Sequence, residues 1–550
     1  MRSSKHEKKS VLRLIKVLLI LAPLMATYAE DRKTDLDWFA YPMIEGSFHG
    51  TWDSLAKYEV PEWYRDAKLG FWSIIGPQCV PLQGDWYARH MYMQGSRQYK
   101  HHVEHYGHPS EFGYKDLIKL FNPTKLDYDK LMGLYKKAGG KYAVILAVHH
   151  DNFDLWNSKH HEWNSVNKGP KRDLVGEFRS AALKHGLRFG VTTHLARSLS
   201  WFQTNKGADT TGPKKGVSYD GNNPAYASLY HKPFTQPTDT DYFQKRYPIN
   251  PPEVWQHLWY LRIKDLIDHY EPDFMYFDGS IPFDQGGSVS EDEKGAVGRR
   301  LMAHFYNSNM KHHGGKLEAV LSNKDTTSHG VFRDGVALQS IERGVSDKMG
   351  TRPWQTETCI GGWYYHTGTR YKSVQHVVHM LIDIVSKNGN LLLNIPLHPD
   401  GSIDAQEEAF LEGLGQWMQV NGKGLYDTRP WVIFGEQPPT DEESEQKGGH
   451  FREKPKTYTA EHFRFTCLGD DTLYAFFMAW PQDGKLLLRS LAKNATAKGK
   501  IQCVKLLGSD AELVFQHNKE GLVVKLPDEK PCNYSWALDI TGQDLRLFEP

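Results

Sequence analysis

Apolar runs of strand length that stop at a polar or charged residue, each preceded by a helical pattern closed by glycine, constrain this chain more than any other feature. A helical pattern over residues 127–138 ends at Gly139-Gly140 and delivers the chain into the apolar run 141–148. A second, over 174–185, stops at Gly186 and gives way to a strand over 188–195. A third, over 253–270, carries Trp255, Leu258, Trp259, Ile263, Leu266, Ile267 and Tyr270 on one face and leads directly into Asp273-Phe274-Met275-Tyr276-Phe277-Asp278-Gly279-Ser280. Apolar strands that alternate with helices indicate a parallel sheet covered by helices. Residues 317–321, 336–341 and 390–395 are further strand candidates. Six or more such units in about 350 residues predict an α/β fold, a (β/α)8-like (TIM) barrel, over an open doubly wound sheet, because no Gly-rich phosphate fingerprint accompanies them.

In such a barrel the carboxyl ends of the strands share one face, where reacting groups collect. The residues at those ends are His149-His150-Asp151, Thr193-His194 and Asp278-Gly279. Two imidazole clusters and a carboxylate would then line one pocket. Three plainer readings stand beside this one. Asp-Gly begins turns for conformational reasons alone, and polar strand ends are often only hydrogen-bonded structure. His-His-Asp can also ligate zinc or iron, but these residues fall in no His-x-x-Glu or His-x-His spacing, and neighbours on an extended chain point in opposite directions.

The chain has 550 residues, 39% of them hydrophobic and 13% aromatic, enough for one large domain and a smaller one. Its formal net charge of +1 gives no electrostatic reason to expect nucleic acid or an acidic membrane as partner. Its 16 Trp, 28 Tyr and 27 His suit stacking on sugar rings and binding hydroxyls, although aromatic cores produce the same counts. Residues 1–29 combine Arg2, Lys5, Lys8, Lys9, Arg13 and Lys16 with a short apolar run from Val17 to Ala26 and a small-residue exit. This predicts a signal peptide and an exported protein, periplasmic or extracellular, with no integral membrane span; a signal anchor is the alternative. Five widely spread cysteines argue against a disulfide framework or a zinc ribbon and leave open one Cys503–Cys532 bridge.

The pattern changes after Pro430. Residues 436–456 read as a polar loop or linker, and short strands follow over 462–466, 473–479, 486–488, 513–515, 522–526 and 536–540. The expected division is a leader over 1–29, a catalytic barrel over 30–432, and a linker with an antiparallel β-sandwich over 433–550. Asn494-Ala495-Thr496 and Asn533-Tyr534-Ser535 are glycan acceptors in a host that glycosylates exported proteins.

Several separated blocks resemble family 29 glycoside hydrolases, the exo-acting α-L-fucosidases. They are Trp63-Tyr64-Arg65-Asp66-Ala67-Lys68-Leu69-Gly70, Asp85-Trp86-Tyr87-Ala88-Arg89, Lys141-Tyr142 with His149-His150-Asp151-Asn152-Phe153, Asp273 to Gly279, Val385 to Ile395, and Val420-Asn421-Gly422. The resemblance implies retaining double displacement on terminal α-L-fucosides of oligosaccharides or glycoconjugates, with no metal or other cofactor. It matches Asp278 to the nucleophile, and His149, His150, His194 and Trp86 to the shell around the sugar, with Tyr276 as a neighbour. The acid/base lies in a variable segment: Glu357 is the first choice and Glu342 the second. One departure concerns specificity. Relatives usually carry His-Trp-Gly after the first barrel strand, where this chain has Ile74-Ile75-Gly76. A buried hydroxyl left without a partner costs about 1 to 3 kcal/mol. A related α-L-glycosidase, acting for example on α-L-galactosides, and a noncatalytic glycan-binding protein are therefore the rival readings.

Overall fold

Parallel pairing of the first strand with both the second and the eighth closes the sheet on itself. In order these strands are β1 (Leu69–Ile74), β2 (Tyr142–Val148), β3 (Arg188–Thr193), β4 (Phe274–Phe277), β5 (Val320–Lys324), β6 (Leu338–Glu342), β7 (Trp354–Cys359) and β8 (Gly389–Pro396). The computed structural model describes residues 41–234, 248, 251–283, 294–325, 330–438, 449–493 and 499–547. The expected leader over 1–29 and the Asn494-Ala495-Thr496 site lie outside them. None of the described helices is long and apolar enough to cross a membrane.

The principal helices that cover the barrel are α1 (Tyr128–Lys137), α2 (Leu174–Lys184), α3 (Glu253–Tyr270), α4 (Ala296–His312), α5 (Val374–Ser386) and α6 (Ala405–Asn421). Local chemistry sets their starts. The side chains of Asp127, Asp173 and Ser373 accept from amides in the first turns of α1, α2 and α5, and Asp404 forms a reciprocal capping box with Glu407 at the start of α6.

Three barrel strands differ from the sequence expectation for one physical reason. The apolar runs mark the lower, dry part of a strand, whereas pairing continues into polar residues that face the pocket. Lys324 therefore belongs to β5, where it lies opposite Ser340, and Glu342 ends β6 opposite Glu357 of β7. The whole of β7, Trp354-Gln355-Thr356-Glu357-Thr358-Cys359, lacks an apolar pattern and is nevertheless fully buried. Its polar groups have partners inside the barrel: Tyr64 Oη donates to Gln355 Oε1 at 2.7 Å, and Thr356 Oγ1 donates to the Gly344 carbonyl at 2.9 Å.

Eight antiparallel strands follow: β9 (Arg429–Glu436), β10 (Phe463–Leu468), β11 (Thr472–Phe477), β12 (Lys485–Leu488), β13 (Lys500–Leu506), β14 (Val514–His517), β15 (Leu522–Lys525) and β16 (Trp536–Gln543). One sheet has the order β13-β16-β11-β10-β9 and the other β12-β15-β14. Both feed one apolar cluster that includes Phe463, Phe465, Phe477, Leu488, Leu522 and Val524. The two-residue period of β11 explains how this sandwich also meets the barrel. Leu473, Ala475 and Phe477 enter the sandwich core, while Tyr474 and Phe476 join the barrel's own apolar cluster. A buried ion group reinforces that contact, with Asp383 of α5 receiving Arg464 Nε at 2.6 Å and Lys387 Nζ at 2.8 Å. All five cysteines are free thiols, so Cys503 and Cys532 are not bridged.

The segment after β2 is held by charge. Arg262 of α3 and Asp154 are both fully buried and paired, and Arg262 Nη1 donates to Asn152 Oδ1 at 2.6 Å. These contacts clamp the loop that begins at His149-His150. Replacement by Arg262→Met leaves the Asp154 charge buried without its counter-ion and should cost about 3–5 kcal/mol. Equilibrium denaturant unfolding checks this, and a loss below about 1 kcal/mol would show that the clamp carries little of the stability.

Candidate active site

The carboxylate of Asp278 lies immediately beyond β4, and its backbone amide still bonds to the Thr193 carbonyl at 3.1 Å. Continued pairing fixes the direction of the side chain. Lys324 Nζ donates to Oδ1 at 2.7 Å, and Tyr276 Oη donates to the same oxygen at 3.3 Å. On the other side, Oδ2 lies 3.1 Å from His150 Nε2 and 3.5 Å from His194 Nδ1. Burial by itself would raise the Asp278 pKa. The Lys324 ammonium, with a hydrogen bond from His150, outweighs that penalty and holds the carboxyl well below the usual carboxylate range.

Two glutamates share this space at different depths. Tyr276 Oη also donates to Glu357 Oε1 at 3.1 Å, so a single hydroxyl links Asp278 to Glu357. The other Glu357 oxygen accepts from the Ser340 hydroxyl, and the residue is 1% exposed. Burial pushes its pKa up to about 7, against the pull of Lys324. Glu342 stands one strand over, with its side chain 15% exposed and Oε2 at 2.5 Å from Lys324 Nζ. Lys324 is thus flanked by both Asp278 and Glu342, and their charges raise its own pKa despite burial.

The histidines form the opposite wall. His150 Nδ1 donates to the His194 carbonyl at 2.6 Å, and His149 Nδ1 lies 2.8 Å from Gln78 Nε2. Neither ring nitrogen of His194 has a hydrogen-bond partner, although both are buried. One nitrogen from each of His149, His150 and His194 comes within 4.8 Å of the others, the one trio of potential metal donors among the described residues. His150 already spends one nitrogen on a carbonyl and turns the other to Asp278, so this wall is organised around the carboxylate.

Aromatic rings extend the wall outward. Trp201 packs on His150 at 4.7 Å and on Trp86 at 4.8 Å, and Arg197 lies over the Trp86 ring at 4.6 Å. Trp86 therefore reaches the histidines through Trp201. Beneath the pocket, Trp72 of β1 meets Tyr276 at 5.9 Å, His194 at 6.1 Å and Trp363 at 5.2 Å. Ile74 is two residues beyond Trp72 on the same strand face and is buried, so β1 offers apolar surface at that height.

The structure brings Asp278, Tyr276, Glu357, His149, His150 and His194 into one cluster and sets Trp86 at its edge. Sequence reasoning missed Lys324, Gln78, Trp201, Arg197, Trp72 and Trp363. Lys324 gave only a weak signal, since the polar residues Ser322 and Asn323 separate it from the apolar run that stops at Leu321. Trp201 and Arg197 had none, because a loop between β3 and β4 carries them in. The arrangement sets an ionised carboxylate, two glutamates of different depth and uncharged imidazoles around one space.

The chain matches the family model "Alpha-L-fucosidase" over residues 41–423 and "Alpha-L-fucosidase C-terminal domain" over 456–541. It is 25% identical over 510 residues to the plasma alpha-L-fucosidase of Pongo abelii, covering 90% of this chain and 93% of that one. It is 26% identical over 514 residues to the tissue alpha-L-fucosidase of Mus musculus, covering 90% and 94%. Among solved structures, a Thermotoga maritima alpha-fucosidase superposes with a TM-score of 0.65 at 25% identity, covering 90% of this chain and 100% of that one.

Burial lowers the pKa of His149 well below its ordinary value of 6.5 and that of His194 to about 3. Both are neutral when folded and take up protons once unfolded below that ordinary value. Stability should therefore fall as pH drops from about 6.5 toward 3, by up to about 1.4 kcal/mol per pH unit for each ring. Denaturation midpoints measured between pH 7 and 4 check this. His194→Gln should flatten the slope, and an unchanged slope would mean that the ring is charged in the folded site.

Proposed function

The chain belongs to the alpha-L-fucosidase family of glycoside hydrolases, and we propose that it is a retaining exo-acting α-L-fucosidase that cleaves terminal fucosides of glycans through a covalent glycosyl-enzyme. The observation that carries this reading is the pairing of an ionised Asp278 with a glutamate across one ammonium group, Lys324 Nζ. Asp278 attacks the anomeric carbon. A general acid protonates the departing glycosidic oxygen, and as a base it then activates water on the same face. His149, His150, His194 and Trp86 bind the sugar as neutral donors, acceptors and apolar surface, contacts that strengthen as the ring flattens in the transition state.

Glu342 is the better acid/base, which reverses the order of preference read from sequence. The acid must touch the leaving oxygen. Glu357 is closed off, with Tyr276 and Ser340 on its two oxygens, whereas Glu342 is partly open at the rim. Shared contact with Lys324 also sets Glu342 beside the nucleophile, across one ammonium group. Glu357 with Tyr276 then steadies the nucleophile from below.

Ile74 supports a second reading of the sugar itself. An apolar residue where relatives place a histidine removes one hydroxyl partner, and α-L-galactoside becomes the competing substrate. We further propose that residues 1–29 are a cleaved export signal, that the catalytic unit is 30–432, and that 433–550 form the linker and sandwich.

Hydrolysis of aryl α-L-fucoside beside aryl α-L-galactoside is the direct test. Faster release from fucoside supports the reading, and preference for galactoside moves the specificity to the Ile74 pocket. Asp278→Gly should lose activity by at least about 10³-fold, with azide restoring turnover to the β-azide. Azide should rescue Glu342→Ala with retention, to the α-azide. The same rescue of Glu357→Ala would instead return the acid/base role to Glu357.

A further inference from the structure

The segment 449–453 comes from outside the barrel sequence, between β9 and β10, and is bound to the barrel rim beside Glu342. Gly449 bonds through its amide to the Val345 carbonyl at 3.0 Å, and Phe451 through its amide to the Glu342 carbonyl at 2.8 Å. The Glu342 amide donates in turn to His450 Nδ1 at 2.9 Å, while His450 Nε2 lies 2.5 Å from Asp325 Oδ1, just past the end of β5. Glu453 completes the attachment with Arg343 Nε at 2.8 Å, Lys372 Nζ at 3.0 Å and the Thr358 hydroxyl. Every one of these anchors lies on or next to the carboxyl ends of β5, β6 and β7.

What this strap presents is unusual. Phe451 is 65% exposed, and it is the one aromatic ring among the described residues that stands mainly in solvent. Its backbone has φ 58, a left-handed conformation that glycine adopts freely and phenylalanine rarely does. Burial does not explain a large apolar ring held there, and the turn itself would be easier with glycine. Strain of this kind persists where the surroundings over-determine it, and it concentrates at ligand-binding positions. The surroundings here are the hydrogen bonds of Glu342, Asp325 and Glu453.

We propose that Phe451 is the platform of a leaving-group subsite, on which a pyranose ring of the departing glycan stacks while Glu342 protonates the oxygen that joins it to the fucose. The assignment rests on the function proposed above. In a retaining glycosidase the leaving group departs on the side of the acid/base. A ring anchored through its own amide to the carbonyl of that acid/base residue is therefore on the side where the aglycone emerges. An aromatic face suits the C–H side of a sugar ring, and the flanking Arg452 and Lys454 suit its hydroxyls. Phe451 is thus a specificity-determining residue, supplied to the barrel by the connection between two strands of the sandwich, β9 and β10.

The test compares two substrates that share the fucosyl group: an α-L-fucosyl disaccharide, whose leaving group is a sugar ring, and α-L-fucosyl fluoride, whose leaving group has none. Phe451→Ala should lower kcat/KM for the disaccharide about tenfold more than for the fluoride, chiefly through KM, and Phe451→Trp should restore the ratio. Equal losses on both substrates would make Phe451 a structural support of Glu342 and overturn the subsite, as would an unchanged ratio. Failure of the wild type to hydrolyse even the fluoride would remove the fucosidase reading and the subsite with it. Hydrolysis of the fluoride with no effect of Phe451 on the ratio would remove the subsite alone.

Discussion

When β1 pairs on one edge with β2 and on the other with β8, the sheet has no free edge and all eight carboxyl ends are brought to one rim. Closure is the constraint from which the site follows. Residues far apart in the chain, such as His149, Asp278 and Glu342, become neighbours because each sits at or just past the end of its strand. Their directions are set by strand pairing that continues into polar residues, as in the bond of the Asp278 amide to Thr193 and the opposition of Glu342 and Glu357. Side chains placed in this way are held by backbone hydrogen bonds and need no further ordering when a ligand arrives.

Within that frame the electrostatics turn on one cation. Asp278, Glu342 and Glu357 gather around a single ammonium, Lys324, in a space largely closed to water. Uncompensated, burial would neutralise such acids. Lys324 keeps Asp278 ionised, and the deeper Glu357, bonded to hydroxyls, is the group whose proton affinity rises. The same burial that lifts Glu357 drives the histidines toward neutrality. Negative charge is therefore concentrated on the proposed nucleophile, while the opposite wall is polar and uncharged, the combination that suits a neutral sugar whose anomeric carbon becomes cationic in the transition state.

The sandwich contributes more than a second domain packed on the first. Tyr474 and Phe476 join the barrel's apolar cluster, and the connection from β9 to β10 passes over the barrel rim at 449–453. Arg464 and Asp383 tie the sheet to α5, which precedes β8. Position of the strap is thereby coupled to docking of the sandwich. The proposed aglycone subsite depends on that docking even though its ring lies far in sequence from the barrel strands.

The barrel was legible because its strands are apolar in their lower halves and its helices end in glycine, as at 139–142 and 186–188. Asp278, His149, His150 and His194 were legible because each terminates such a run. β7 was not, since a strand whose polar side chains are all satisfied by other strands carries no periodic signal of its own. Lys324 was hidden for a related reason, because hydrophobicity stops at Leu321 before hydrogen-bonded pairing does. By itself the sequence determined the alternation of elements, the presence of a polar rim and the residue types on it, all properties of local pattern. Only the tertiary structure decided which glutamate is open and which is closed, where the one ammonium lies and that Phe451 stands at the rim, because depth, exposure and charge balance are set by strands that meet across hundreds of residues.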